Sequence, residues 1–254
     1  MPSPITWTTA MFDLPGPQLE ASLTFWLRVT GSTLSAWRGD HLEYATLLPP
    51  DGDAYLRVQR TDSAEPRIHL DLHISADPGY LAVAQQAIGL GATMLHAAPH
   101  HAVLRSPGGY VFCLVRDHGE SRRPTSHTSP AGTSLVDQLT LDVPEDSFDA
   151  EVMFWSELTT WPAHTGSRSE FVALERPVGM PLRLMLQRIT SASRAVTSHL
   201  DLAAGQDRLA LAAEHQARGA SLVSTGDLWS TLTDTGGSPY CLTDRDPVTG
   251  FLTR

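Results

Sequence analysis

The sequence states its plan twice. Ile68-His69-Leu70-Asp71-Leu72 returns as Ser198-His199-Leu200-Asp201-Leu202, and Phe25-Trp26 returns as Phe154-Trp155. Phe12-Asp13-Leu14-Pro15 returns as Leu141-Asp142-Val143-Pro144, and Gly108-Gly109 through Cys113-Leu114 as Gly236-Gly237 through Cys241-Leu242. The landmarks keep one order at offsets of 128 to 130 residues. A tandem duplication of this kind requires each copy to carry one complete structural plan, and any pocket to come in two related versions.

The 254 residues, 41% of them hydrophobic, suit one large or two small globular domains. No run of about 18 apolar residues occurs, so no membrane-spanning helix is expected. Met1 to Ala10 lacks a basic stretch ahead of an apolar one, so no secretory leader and a cytoplasmic location are expected. A formal charge of −10 argues against a nucleic-acid partner, because neutralising phosphates needs a basic face. The chain contains no lysine, which excludes a Schiff-base mechanism and a phosphate-loop lysine. The two cysteines, Cys113 and Cys241, are repeat equivalents and read as buried thiols rather than a disulfide.

Each copy divides again. Ile5 to Phe12 reads as a strand, and Pro15-Gly16-Pro17 opens a helix from Gln18 to Val29 with Leu19, Leu23, Trp26 and Leu27 on one face. Short strands are expected at Thr33 to Trp37, Leu42 to Leu48 and Tyr55 to Arg60. The order then restarts. Arg67 to Ile74 is a strand, Asp77-Pro78 begins a helix that Gly91 ends, and strands follow at Thr93 to His96, Ala102 to Ser106 and Tyr110 to Val115. The second copy repeats this with elements at Leu135 to Val143, Ser147 to Thr159, Ser169 to Glu175, Leu182 to Ile189, Thr197 to Ala203, Gln206 to Arg218 and Ser221 to Leu242. Asp117 to Ser134 is rich in Ser, Thr, Pro and Gly without apolar periodicity, and is expected to be an exposed linker.

Four βαβββ modules, with IHLDLHI and SHLDLAA strands and a Gly-Gly turn before each last strand, resemble the vicinal oxygen chelate superfamily. This superfamily includes glyoxalase I, bleomycin-resistance proteins and extradiol dioxygenases. The resemblance implies an α+β fold of two glyoxalase-like domains, residues 1–117 and 134–254 around a linker at 118–133. Their curved mixed sheets would enclose cups. It also implies metal-ligand positions on cup-facing strands. The first-strand position falls on Thr9 and Gln138, the fourth on Gln59 and Gln187, and the fifth on His69 and His199. The eighth, usually Glu, falls on Cys113 and Cys241. On this mapping neither copy has the carboxylate a hard divalent cation prefers. No cofactor is therefore expected, with a divalent ion such as Zn²⁺ on His199, Gln138 and Cys241 as the alternative.

The fifth strand is the chemical one. Alternation puts His69, Asp71 and His73 on one face and Leu70, Leu72 and Ile74 on the other; the second copy keeps His199 and Asp201 but has Ala203. A His beside an Asp at i+2 can act as a general acid or base, which makes His199, Asp201, His69 and Asp71 the catalytic candidates. The same pair can equally be a hydrogen-bonded sheet element. Trp7 and Trp37 are candidates for stacking a flat ligand, although such residues more often belong to the core. Arg57 and Arg183 share faces with Gln59 and Gln187 and are candidates for holding an anionic ligand, or are solvated edge residues.

Three functions compete. The first is a metal-independent cup for a small, oxygen-rich or aromatic molecule. The second is a metal-dependent lyase, isomerase or dioxygenase-type enzyme using the second copy. The third is a structural or regulatory protein with collapsed cups. The residues leave open whether cups form within or across copies, and whether the chain is a monomer or a homodimer.

Overall fold

The computed structural model describes residues 3–166, 168–190 and 195–252. The first copy folds as β1 (Ile5–Pro15), α1 (Gly16–Thr30), β2 (Thr33–Leu34), β3 (Tyr44–Leu48), β4 (Leu56–Thr61), β5 (Arg67–Ile74), α2 (Tyr80–Gly89), β6 (Thr93–Ala98), β7 (His101–Arg105) and β8 (Val111–Arg116). A short β9 (His127–Ser129) follows. The second copy gives β10 (Gly132–Pro144), α3 (Phe148–Thr159), β11 (Ala163–Thr165), β12 (Phe171–Leu174), β13 (Arg183–Ile189), β14 (Thr197–Ala203), α4 (Arg208–Ala217), β15 (Ser221–Thr225), β16 (Trp229–Thr233) and β17 (Pro239–Thr243). The strands make two mixed, open, curved sheets, ordered β2-β3-β4-β1-β5-β8-β7-β6 and β11-β12-β13-β10-β14-β17-β16-β15, with β9 beside β10. The α+β fold of four βαβββ modules follows the duplicated pattern.

Even the irregularities repeat. β6 slips register between Met94 and His96, and β15 slips between Leu222 and Ser224, the equivalent place. The bulged residues, Leu95 and Val223, are 42% and 62% exposed, so each bulge turns an apolar side chain out of the ladder.

Two features differ from the sequence expectation. The segment expected as an exposed linker carries β9, pairs with β10, and buries Pro124. β11 was not expected: Ala163-His164-Thr165 is exposed throughout and has no apolar alternation to announce it.

The chain divides into two compact units, and each draws on both sequence copies. The first unit comprises Met1–Ala10, His69–Arg122 and Leu139–Ser198. Its core sets α3 against β8: Phe112 lies 5.8 Å from Phe154 and 4.9 Å from Trp155, ring centre to ring centre. Glu151 on the same helix is fully buried, yet both its oxygens are satisfied. Gly108 N–H donates at 2.6 Å and the Trp155 indole N–H at 2.7 Å. A side chain at Gly108 would strike Val196 and Glu151, which explains the glycine.

The second unit comprises Met11–Ile68, Arg123–Gln138 and His199–Arg254. Pro at the start and Gly31 in the left-handed conformation bound α1, and its buried face (Leu19, Ser22, Leu23, Phe25, Trp26, Val29) follows helical spacing. Phe25 and Trp26 pack on Tyr240 at 5.7 and 5.4 Å. The Trp26 indole donates to Asp234 Oδ2 at 2.9 Å, and Asp234 Oδ1 accepts from Gly236 and Ser238 N–H. The two units thus satisfy a buried indole from opposite sides, one from the helix and one from the turn.

Candidate functional site

The first unit gathers His69, Asp71 and Cys113. β5 and β8 run parallel with Asp71 paired to Cys113. Paired residues of adjacent strands face the same way, and His69 shares that face two residues earlier. One donor atom from each residue lies within 4.8 Å of the others. The second unit repeats the arrangement with His199, Asp201 and Cys241, because β14 and β17 pair Asp201 with Cys241. Both cysteines are free and buried. Burial pushes the Cys113 thiol above its ordinary range, and a hydrogen bond with His69 opposes that rise. A carboxylate from the fifth strand thus stands beside each eighth-strand cysteine.

The His–Asp spacing is compatible with a shared ion. His69 Nε2 lies 3.3 Å from Asp71 Oδ1, and His199 Nε2 lies 3.4 Å from Asp201 Oδ1. A charge-assisted hydrogen bond closes to about 2.7–2.9 Å. The exposed pair His164–Glu175 does close, to 2.9 Å. Two ligands of one tetrahedral ion at metal distances of about 2.0–2.1 Å stand about 3.3–3.4 Å apart. Imidazole, carboxylate and thiol together fit an ion of the Zn²⁺ class, with three protein donors leaving a coordination position open.

The copies differ in what holds the carboxylate. Gln138 donates from Nε2 to Asp201 Oδ2, and its Oε1 accepts from Arg245 Nη1 at 2.6 Å. Arg245 Nη2 also donates to the fully buried Asp137 at 2.5 Å. These partners fix the orientation of the Gln138 amide and engage both its ends, so in this geometry Gln138 braces Asp201. In the first copy Thr9 takes the place of Gln138 and lies 2.9 Å from His73 Nε2. Arg245 follows the last strand, outside the repeated landmarks, and the alternation of β14 carries no signal for it.

The remaining candidates are distributed between the units. Trp7 (1% exposed), Arg183 and Gln187 belong to the first. Arg57, Gln59 and Trp37 belong to the second. Gln59 donates to Tyr44 Oη at 3.3 Å, and the Arg60 guanidinium lies 5.0 Å over the Trp37 ring. Burial alternates along β4 and β13 so that Arg57 and Gln59 share one face, and Arg183 and Gln187 another.

The glyoxalase-like domain family matches the sequence twice, over residues 9–115 and 138–243. The chain belongs to this family, within the vicinal oxygen chelate superfamily. No curated protein matches the sequence itself. Solved structures share the fold. An Mn(II)-bound glyoxalase from Novosphingobium aromaticivorans matches with TM-score 0.67 and 14% identity, covering 98% of this chain and 85% of that one. The 2,2',3-trihydroxybiphenyl 1,2-dioxygenase of Sphingomonas wittichii strain RW1 matches with TM-score 0.64 and 13% identity over 96% and 90%. A 2,3-dioxygenase from Pseudomonas sp. KL28 matches with TM-score 0.65 and 10% identity over 100% and 96%. At these identities the likeness is one of fold.

Proposed function

We propose that the protein is a divalent-metal-dependent glyoxalase-like enzyme acting on a small oxygen-bearing molecule, with His199, Asp201 and Cys241 as the ion's ligands. The observation that carries this reading is the 3.3–3.4 Å His–Asp spacing, repeated in both copies opposite a cysteine. When bound, such an ion supplies Lewis acidity toward a carbonyl, enolate or phenolate oxygen and lowers the pKa of bound water. The chain's own residues set the stage. His199 offers a ring nitrogen. Asp201 offers Oδ1, since Gln138 engages Oδ2. Arg245 fixes the Gln138 amide so that its N–H faces Asp201. One carboxylate and one thiolate balance a doubly charged ion, which favours burial of the whole set. Arg57 belongs to the same unit as this set and is assigned to hold an anionic substrate group there.

One observation favours the metal-independent binder: the Asp201–Gln138–Arg245–Asp137 chain engages the carboxylate without an ion. Metal analysis of protein purified from zinc-supplemented culture separates the two readings. Stoichiometric zinc in the wild type, reduced in His199→Ala and in Cys241→Ser, is expected. Zinc-free protein that still binds small aromatic or oxygen-rich probes in a thermal-shift screen would replace the enzyme reading by the binder.

A further inference from the structure

Copy one carries a second group of donors that copy two does not repeat among the described residues. His73 lies on the same face of β5 as His69 and Asp71, four residues beyond His69, or about 13 Å along the strand. Its ring is 0% exposed. Two residues from the segment after β8, His118 and Glu120, come back to it. One donor atom from each of the three lies within 4.8 Å of the others. His73 and His118 stand edge to face, ring centres 6.0 Å apart. At the equivalent places copy two has Ala203, Asp246 and Val248, and Asp246 accepts backbone N–H bonds from Val248 and Thr249.

Both ring nitrogens of His73 face polar groups. Its Nε2 is 2.9 Å from Thr9 Oγ1, which leaves Nδ1 to face Glu120. Nδ1 and Glu120 Oε2 stand 3.3 Å apart, both shielded from solvent, without hydrogen-bond alignment between them. A buried ring nitrogen and a carboxylate oxygen at that distance can share a cation between them. Again the spacing is the edge of a tetrahedron of about 2.0–2.1 Å bonds. Glu120 is partly exposed and His118 is exposed, so the group opens to solvent on one side and keeps coordination positions for water.

We propose that His73, His118 and Glu120 form a further divalent-metal site, of two-imidazole, one-carboxylate type, built from β5 and the segment after β8. This donor set suits Zn²⁺, Fe²⁺ and Co²⁺, which accept imidazole readily, over Ca²⁺ or Mg²⁺. Thr9 positions the His73 ring through its other nitrogen, as outer partners of metal-bound histidines do.

The absence of sulfur gives the site its own signature. Tag-free Cys113→Ser/Cys241→Ser protein removes the thiolate from both His–Asp–Cys groups. Titrated with Co²⁺, it is expected to take up one tightly held equivalent with d–d absorption and no thiolate-to-cobalt charge-transfer band. His118→Ala and Glu120→Gln, each added to that background, are expected to weaken this equivalent by at least about tenfold, ligand loss costing no less than loss of an outer partner. Both residues lie at the surface end of the site, and circular dichroism checks that the variants fold. The proposal is overturned if the double-cysteine variant binds no cobalt, or if its cobalt is indifferent to both substitutions. It is also overturned if these lower only the melting temperature, which would make the group a clasp for the segment. The wild-type charge-transfer band reports the His–Asp–Cys groups separately, so the two assignments fail independently.

Discussion

Two copies of one strand pairing, β5–β8 and β14–β17, present the same His, Asp and Cys and support them differently. In the second, a long first-strand side chain, Gln138, reaches Asp201 and is itself braced by Arg245. In the first, the shorter Thr9 turns to His73 instead. The backbone plan was duplicated; the support around the donors was not. The helices show the same divergence. Copy two pairs Tyr240 with His215, Oη to Nδ1 at 3.0 Å, where copy one has Phe112 and Ala87. A buried hydroxyl needs a partner, so the Tyr and the His belong together, as do the Phe and the Ala.

The largest test of this contrast is Arg245→Met. It leaves Asp137 buried without its cation and is expected to cost about 3–5 kcal/mol in denaturant unfolding. Most of that should return in Asp137→Asn/Arg245→Met. An unchanged unfolding midpoint in the single variant would remove the brace from the comparison.

Acid stability comes next. Burial, with Arg218 nearby, lowers the His215 pKa from 6.5 to about 4. Between those values the unfolded chain binds the proton and the folded chain does not, so stability rises with pH. It is complete above about 6.5 and is lost as pH falls toward 4, by about 3 kcal/mol in all. His215→Ala/Tyr240→Phe, which copies the first half, is expected to flatten that slope in urea unfolding followed from pH 7 to pH 4. A slope that persists would assign the acid sensitivity to other groups.

The smallest effect is the most direct exchange. Gln138→Thr gives copy two the first-strand residue of copy one. It is expected to weaken metal binding at His199–Asp201–Cys241 by about 10–100-fold. Competition against a chelating dye measures it, and equal affinity in both proteins would mean that Asp201 needs no brace.

Much of the architecture was legible because the duplication supplied each signal twice. Gly108 and Gly236, His69 and His199, and Trp26 and Trp155 mark equivalent places, and alternation along the fifth strand put His69, Asp71 and His73 on one face. The rest escaped for physical reasons. No local pattern announces the register across the β5–β8 pair that sets Asp71 beside Cys113. A polar stretch without periodicity reads as linker, yet it is the tertiary fold that returns His118 and Glu120 to His73. Arg245 finds Asp137 across more than 100 residues, an association no local pattern announces.

The composition of the compact units has a consequence for the protein's ancestry. Glu151 from one copy holds the Gly108 turn of the other, and Asp234 holds Trp26 in the same reciprocal fashion. A single-copy forerunner would have had to borrow these partners from a second molecule in a symmetric pair. In the duplicated chain neither half need be self-complementary, so one can carry an imidazole cluster and the other an arginine brace.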